Sequence, residues 1–379
     1  MKKRRIAWVG VEPTPYNFPL FALLRENEQF EFSFFFCTRQ NDQPWTIPGE
    51  QTLIAAESAA RPWSVLGRPF NPAIVRAILR RPWDAVVVAG YGLPTMQAVI
   101  IACLLRRIPF LIWSDTQLLR HRSWWKPLIK RLLVFPAVRR CGAALGAGRM
   151  ACKYWESVGI PSDRIFLVSC ANHLGNFRLE PERREALRSR LRQEAGIPDD
   201  ATVGICIGRL VACKGLDLLL GGAGLLDPTQ RPYLLLVGDG PERPALEQFV
   251  RAHSLPVKFL GFRQNEELPG LLAAADFFVL PSRADAWGVA VAEAMAMGLP
   301  VVLSDQVGAA YDLLEDGRNG YLVSQQSSAA WRTALGRCIT EKDKLKAMGE
   351  RSLEIIASWT REASADQLWK AIDVALARS

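Results

Sequence analysis

The strongest constraint this sequence places on its fold is a rhythm. Short apolar runs alternate with helix-length segments, and the alternation occurs twice. In the first half, strands are expected at residues 6–11, 31–37, 84–89, 110–113, 143–145 and 165–168. A helix is expected over 19–26 and another begins near Pro94. Residues 84–89 carry Val86, Val87 and Val88 in succession, as a strand buried on both faces requires. The polar, Pro-bearing stretch 38–61 reads as a long loop. The second half repeats the pattern more clearly, with strands at 202–207, 233–237, 257–260, 277–280 and 300–303 and helices starting near Leu216, Pro241, Glu266, Val289 and Ala309. Repeated strand–helix units imply a mainly parallel sheet covered on both faces. The fold class is α/β, with two Rossmann-like doubly wound domains. Their expected bounds are 1–175 and 201–357, joined by a linker at 176–200 that carries one helix. Residues 358–379 form an amphipathic helix expected to pack back on the first domain. A ligand belongs at the carboxyl ends of such strands, in the cleft between the two domains.

Charge separates the halves. Residues 1–175 hold 23 Lys/Arg against 11 Asp/Glu, a net +12, and the remainder hold 24 against 27, a net −3. The imbalance is sharpest over 116–155, where nine basic residues occur without an acid, interleaved with Trp124, Trp125, Leu128, Ile129 and Phe135. Two readings fit: a solvated helix with a core stripe, or a basic, Trp-bearing surface on an anionic membrane. No nucleic-acid motif accompanies the charge, so nucleic acid is not expected as a partner. The longest apolar run, residues 98–105, is too short to span a bilayer. The basic start, Lys2 to Arg5, leads into a first strand interrupted by Glu12, Pro13 and Pro15 rather than a secretory leader. Eight scattered cysteines without a CxxC pair fit a reducing cytosol.

The motifs lie in the second half. Gly208-Arg209-Leu210 follows a strand, and Lys214-Gly215 precedes a helix. Two cations beside free backbone N–H groups suit a diphosphate. Gly238-Asp239-Gly240-Pro241 follows the next strand, with glycines that permit close approach of a ligand and a proline suited to the first helical turn. It lacks the third glycine of a dinucleotide fingerprint. The segment 280–303, LPSRADAWGVAVAEAMAMGLPVVL, presents Asp285 in a loop, opens a helix at Gly288 and Val289, and carries Glu293 one turn on. Asp285 fits an N-cap or a ligand carboxylate, and Glu293 fits a paired buried acid or a ligand for vicinal hydroxyls. No HExxH motif and no DxD at a strand end is present, so no metal is expected.

Arg209…Lys214, Gly238 to Pro241, Asp285-x7-Glu293 and the "GAAYDLLEDGRNGYLV" segment resemble, in order and spacing, the retaining family-4 glycosyltransferases of GT-B fold. The match is close over 202–323 and only in outline before that. The resemblance implies that Arg209 and Lys214 neutralise a donor diphosphate and that Glu293 binds ribose hydroxyls. It places Gly261 and Phe262 along the base, with Gly238, Gly240, Gly288 and Val289 lining the donor. Asp285 stands where the family usually has Glu, so its carboxylate reaches about 1.5 Å less toward the donor sugar. On the acceptor side the resemblance points to Gly10, Tyr16, Tyr91 and Asp115 at the turns after the first domain's strands. The family's active-site histidine has His121 as its nearest counterpart here, and His173 lies further along.

The expected activity is therefore a metal-independent, retaining transfer of a hexosyl unit from a nucleotide-diphosphate sugar, without a cofactor. The expected acceptor is a glycan or a polyprenyl-diphosphate-linked glycan in bacterial surface polysaccharide or glycoconjugate assembly. The enzyme is expected in the cytoplasm, held on the inner membrane face through residues 116–155. A sugar-nucleotide epimerase and a non-catalytic nucleotide-sugar-binding protein are the alternatives.

Overall fold

The computed structural model describes residues 3–38, 45–46, 54–59, 62–65, 67–116, 134–324 and 326–378. They divide into two compact units, Met1–His173 with Trp359–Ser379, and Leu174–Ser358.

The strands of the first unit are β1 (Arg4–Gly10), β2 (Phe30–Phe36), β3 (Trp63–Val65), β4 (Arg68–Phe70), β5 (Ala85–Ala89), β6 (Phe110–Ser114), β7 (Ala143–Gly146) and β8 (Ile165–Leu167). Six of them form a parallel sheet in the order β2-β1-β5-β6-β7-β8. The valine run in β5 has a direct cause in this sheet. Val86 and Val88 belong to the core on one face with Ile74 and Val99, from helices Pro72–Arg80 and Pro94–Arg106. Val87 belongs to the opposite core with Leu368 and Ile372 of the helix Arg361–Ala377. All three valines are fully buried, and each such side chain contributes about 1.5–3 kcal/mol. The helix Arg361–Ala377 is thus part of the first unit. Thr360 caps it, its side chain accepting from the Ala363 N–H at 3.1 Å. β3 and β4 form an antiparallel hairpin that the sequence does not announce. Its residues Trp63 to Val65 are exposed, so no buried alternation marks them.

The second unit holds β9 (Val203–Ile207), β10 (Tyr233–Val237), β11 (Val257–Gly261), β12 (Phe277–Leu280), β13 (Val301–Ser304) and β14 (Gly320–Val323). They form a parallel sheet in the order β11-β10-β9-β12-β13-β14, the order of a dinucleotide-binding fold. The chain winds outward from β9 in one direction, returns, and winds outward in the other, so the reversal lies between β9 and β12. β14 is an addition to the sequence reading: it has only four residues, and Leu322 on it is 40% exposed. One helix begins at Arg243, two residues after Pro241. The Glu242 N–H donates to Leu210 O at 3.0 Å, so the intervening residues are held in a turn by the neighbouring loop.

The helix Pro181–Ala195 also belongs to the second unit. Its Leu187 and Leu191 side chains approach Gly270 on the helix Leu268–Ala273, and its one fully buried residue is an arginine. Arg192 is 1% exposed and donates to Ala274 O, Asp199 O and Ala201 O, each at 3.0 Å, while pairing with Asp276 at 2.9 Å. Asp276 also accepts from Arg188 at 2.6 Å and from the Val203 N–H at 2.7 Å. Every guanidinium nitrogen is hydrogen-bonded and the charge is paired, which is the condition for burying it.

Candidate functional site

The loops that leave the carboxyl ends of β9, β10, β12 and β13 are locked to one another. After β9, Gly208 donates to Val237 O at 2.9 Å and Leu210 to Asp239 O at 2.9 Å, tying this loop to the one after β10. Gly238 sits at φ +132°, and a Cβ there would lie 2.0 Å from Gly208 O. Only glycine allows that approach. At the end of β11, Gly261 O accepts from the Gly238 N–H at 2.8 Å, bringing half-buried Phe262 beside the same edge.

Lys214 closes a short 3₁₀ turn, Ala212–Lys214, before the helix Leu216–Gly224. Its ammonium nitrogen lies 2.5 Å from Asp285 Oδ2, on the loop after β12. The backbone meets at the same place: Arg283 N–H donates to Cys213 O at 2.8 Å, and a Cβ on Gly215, at φ +66°, would lie 2.2 Å from Pro281 O. Arg283 pairs with Asp217 through two 2.6 Å bonds, which hold the Asp217 carboxyl below its ordinary range. Within electrostatic reach of Lys214 and Asp285, burial pushes the Cys206 thiol up to about 12; the Lys214 charge acts in the opposite sense and Asp285 in the same sense. Arg209 is exposed at the mouth of the site.

The segment around Asp285 is fixed from its other side by the loop after β13. Asp285 N–H donates to Gln306 O at 3.1 Å, Gly308 N–H to Asp285 O at 3.2 Å, and Ala309 N–H to Trp287 O at 2.7 Å. The Trp287 indole is 3% exposed and donates to Asp312 Oδ2 at 2.8 Å. The helix Val289–Ala296 then starts at Gly288 with no side-chain cap. Asp285 is therefore not the N-cap; its carboxylate faces Lys214. Glu293 is on that helix and 5% exposed.

In the first unit, Gly10 ends β1 and Asp115 follows β6, where it is exposed. Tyr16 lies within electrostatic reach of Asp115 and Glu12, and its phenol is pushed above the ordinary range, first by burial and then by Cys170. Its ring is 6.2 Å from that of His173. Tyr16, Asp115 and His173 are thus brought together. Tyr91 is placed differently: it is 6% exposed, and its hydroxyl bonds that of Tyr154 on the helix Arg149–Val158. His121 and most of the basic segment, residues 117–133, lie outside the described residues. No described helix is long and apolar enough to cross a membrane.

Residues 188–354 match the family model described as Glycosyl transferases group 1. The matched residues all lie within the second unit. Among curated proteins, the chain is 29% identical over 237 residues to alpha-D-kanosaminyltransferase of Streptomyces kanamyceticus, covering 61% of this chain and 60% of that protein. It is 35% identical over 187 residues to D-inositol 3-phosphate glycosyltransferase of Corynebacterium urealyticum, covering 47% and 44%. The matched region thus spans about half of each relative's length. Among solved structures, Anabaena HepE in complex with UDP superposes with a TM-score of 0.72 at 19% identity, over 97% of this chain and 99% of that one. The fold is GT-B, with two Rossmann-like parallel sheets.

Within the second unit the structure brings Lys214 and Asp285 into contact, with Arg209, Gly238 and Gly240 on the adjoining loops. Asp312, part of the 308–323 segment that carries the resemblance, is the partner of Trp287, and the structure adds Arg283, Asp217, Trp287 and Cys206, which the sequence does not single out. Arg283 with Asp217, and Trp287 with Asp312, are pairs that hold the loop after β12 to the elements that follow β9 and β13. Cys206 lies within electrostatic reach of Lys214 and Asp285. The available signal was their spacing around the motifs: Arg283 and Trp287 each stand two residues from Asp285.

Proposed function

We propose that the chain is a retaining, metal-independent glycosyltransferase that moves a hexosyl unit from a nucleotide-diphosphate sugar to a glycan or polyprenyl-diphosphate-linked acceptor. Its setting is bacterial surface polysaccharide or glycoconjugate assembly on the cytoplasmic face of the membrane. The observation that carries this reading is the Lys214–Asp285 contact beside Arg209, at the point where strand order reverses in a group 1 domain. The relatives' names support the transferase class, and the HepE complexes with UDP and UDP-glucose support this type of donor.

An ammonium carries three donor hydrogens. Lys214 uses one on Asp285 and has others for a diphosphate oxygen. As the bond between the anomeric carbon and the diphosphate oxygen breaks, negative charge grows on the leaving group. Arg209, Lys214 and the uncapped N-terminus at Gly288 and Val289 stabilise it there, the role a cation fills elsewhere. The acceptor oxygen bonds the anomeric carbon on the face the diphosphate leaves, and its proton passes to the departing phosphate. Glu293 takes ribose hydroxyls, Gly261 and Phe262 lie along the base, and Asp285 orients both Lys214 and the donor sugar. Tyr16 and Asp115 are the acceptor-side groups, with His121 as the further candidate.

The test is transfer from UDP, GDP, ADP and dTDP sugars to a lipid-linked glycan, run with and without EDTA. Transfer with retained anomeric configuration in EDTA is the expected result. Epimerised donor, or binding without turnover of any donor, overturns the reading. Loss of transfer in EDTA and its recovery with Mg²⁺ or Mn²⁺ overturns the metal-independent mechanism.

A further inference from the structure

At the opposite ends of the first unit's strands from Gly10 and Asp115, a pocket of about 320 Å³ opens beside Pro109 and Phe110, where β6 begins. Four arginines line it, Arg107, Arg140, Arg164 and Arg378, and among the described residues no acidic one does. Its floor includes Cys103 and Cys141, whose thiols burial pushes up to about 12, so both are neutral and supply no counter-charge.

Two further features mark this pocket. Arg164 donates one guanidinium nitrogen to Cys141 O at 3.1 Å, but its Nε is buried and has no hydrogen-bond partner. A buried donor left unsatisfied is costly, more so when charged. Arg107 follows the helix Pro94–Arg106 in the left-handed region, at φ +54°. Glycine is the residue favoured at that position. The chain keeps an arginine there against backbone strain, with its side chain on the pocket. Arginines at helix C-termini often serve local carbonyls, and Arg164 does so in part. That role does not explain four of them lining one pocket with no acid among the described lining residues.

We propose that this pocket is a phosphate-binding site, separate from the donor loops of the second unit. The guanidinium fork matches phosphate oxygens in pairs, and the four cations balance a di- or polyanionic group. The volume is that of a small polar head rather than of a whole nucleotide sugar. Such a group comes either from a soluble phosphorylated molecule or from an anionic lipid. Leu105, 77% exposed, adjoins the pocket residue Leu104 and would meet acyl chains in the second case.

Calorimetric titration of the full chain with inorganic diphosphate tests the soluble source. It is run in an Arg209→Ala, Lys214→Ala background, so that the donor loops do not contribute. Co-sedimentation with phosphatidylcholine vesicles containing phosphatidic acid tests the lipid source. Arg107→Gly with Arg140→Gln alters only exposed side chains, and the glycine relieves the strained backbone, so Tm holds or rises. Arg164→Gln attacks the site from inside. Each variant is expected to weaken binding of diphosphate, or of the vesicles, by at least about tenfold, the scale of one lost charge-assisted hydrogen bond. Loss toward diphosphate assigns a soluble ligand, and loss toward vesicles alone assigns a lipid headgroup. If neither probe distinguishes the variants from their parent, the arginines serve only the helix ends and the proposal fails.

Discussion

Lys214 and Asp285 meet across loops that leave two adjacent strands, β9 and β12, with Nζ 2.5 Å from Oδ2 and side chains only 22% and 12% exposed. The pair joins the two halves of the second sheet at its reversal point. It also fixes a cation where donor phosphate is proposed to bind. Removing one partner of a poorly solvated pair strands the other charge, at about 3–5 kcal/mol when burial is complete and less here because water reaches Lys214. Asp285→Ala is expected to destabilise the fold more than Asp285→Ala combined with Lys214→Met. Urea unfolding of the single and double variants checks this. A double variant weaker than the single one would show that the contact contributes packing rather than charge compensation.

The diphosphate role has its own readout. Arg209→Ala and Lys214→Ala are each expected to lower turnover by at least about 10²-fold, the scale for one lost transition-state donor. Arg209 is exposed, so its variant should unfold like wild type. Near-normal turnover in both variants removes these residues from the mechanism.

Trp287 supports the same loop without facing the donor phosphate. Trp287→Phe keeps the ring but leaves Asp312 Oδ2 without its 2.8 Å indole donor. The expected cost is about 1–3 kcal/mol. Asp312→Asn retains an acceptor oxygen and should cost less. Denaturant midpoints of the two variants decide the order, and equal midpoints would assign the loop's rigidity to its backbone bonds alone.

The alternation of strands and helices was legible because each central strand is buried on both faces and so carries an unbroken apolar run, as Val86 to Val88 do. The hairpin Trp63–Val65 with Arg68–Phe70 was not, since its exposed residues leave no pattern. Arg209, Lys214 and Asp285 were visible as motif residues, but their arrangement was not. The contact of Lys214 with Asp285 joins residues 71 positions apart, and no local rule reports such a meeting. The N-cap alternative for Asp285 failed for a related reason: the loop after β13 pulls residues 285–287 into its own hydrogen bonds, and the helix starts later, at Val289. Tyr91 shows the reverse case, a residue at a promising turn whose hydroxyl is directed to Tyr154.

Thiol chemistry gives a pH-dependent test. Burial raises Cys37 to about 11 and Cys103, Cys141, Cys206 and Cys338 to about 12, from an ordinary value of 9.0. A folded-state pKa above the unfolded one stabilises the fold fully below the unfolded value. That contribution fades as pH rises through the folded value. Stability is therefore expected to decline as pH climbs from about 9 to about 12, with the thiols as one cause. Cys→Ala at position 206 should shallow that slope in pH-dependent unfolding. In the native state near pH 8, alkylation should reach half-exposed Cys152 and Cys213 first. Under the proposed function a bound nucleotide sugar should slow modification of Cys213, which neighbours Lys214, and leave Cys152 unchanged. Equal rates at Cys213 with and without every donor tested would count against that placement of the site.

The final prediction concerns the membrane. The first half of the chain carries a net +12, and residues 116–155 contain nine basic residues and no acid. Of these, Arg139, Arg140, Arg149 and Lys153 are among the described residues, and all four are exposed, whereas Trp155 in the same stretch is fully buried core. The charges thus face solvent, and at least one tryptophan serves packing instead. Each basic residue near an anionic leaflet is worth about 1 kcal/mol, so several together hold a protein at the surface reversibly without a spanning helix. Vesicle co-sedimentation at low salt is expected to require anionic lipid and to weaken as salt shortens the reach of the field. Changing Arg122, Lys126, Lys130 and Arg131 to Gln should release the protein while leaving transfer to a short, water-soluble acceptor analogue intact. None of the four is Arg107, Arg140, Arg164 or Arg378, so the two sets of variants share no substitution and separate a diffuse electrostatic surface from a defined phosphate site. If the wild-type chain ignores anionic vesicles at low salt, the lipid-linked acceptor loses its support and a soluble glycan becomes the acceptor to assay.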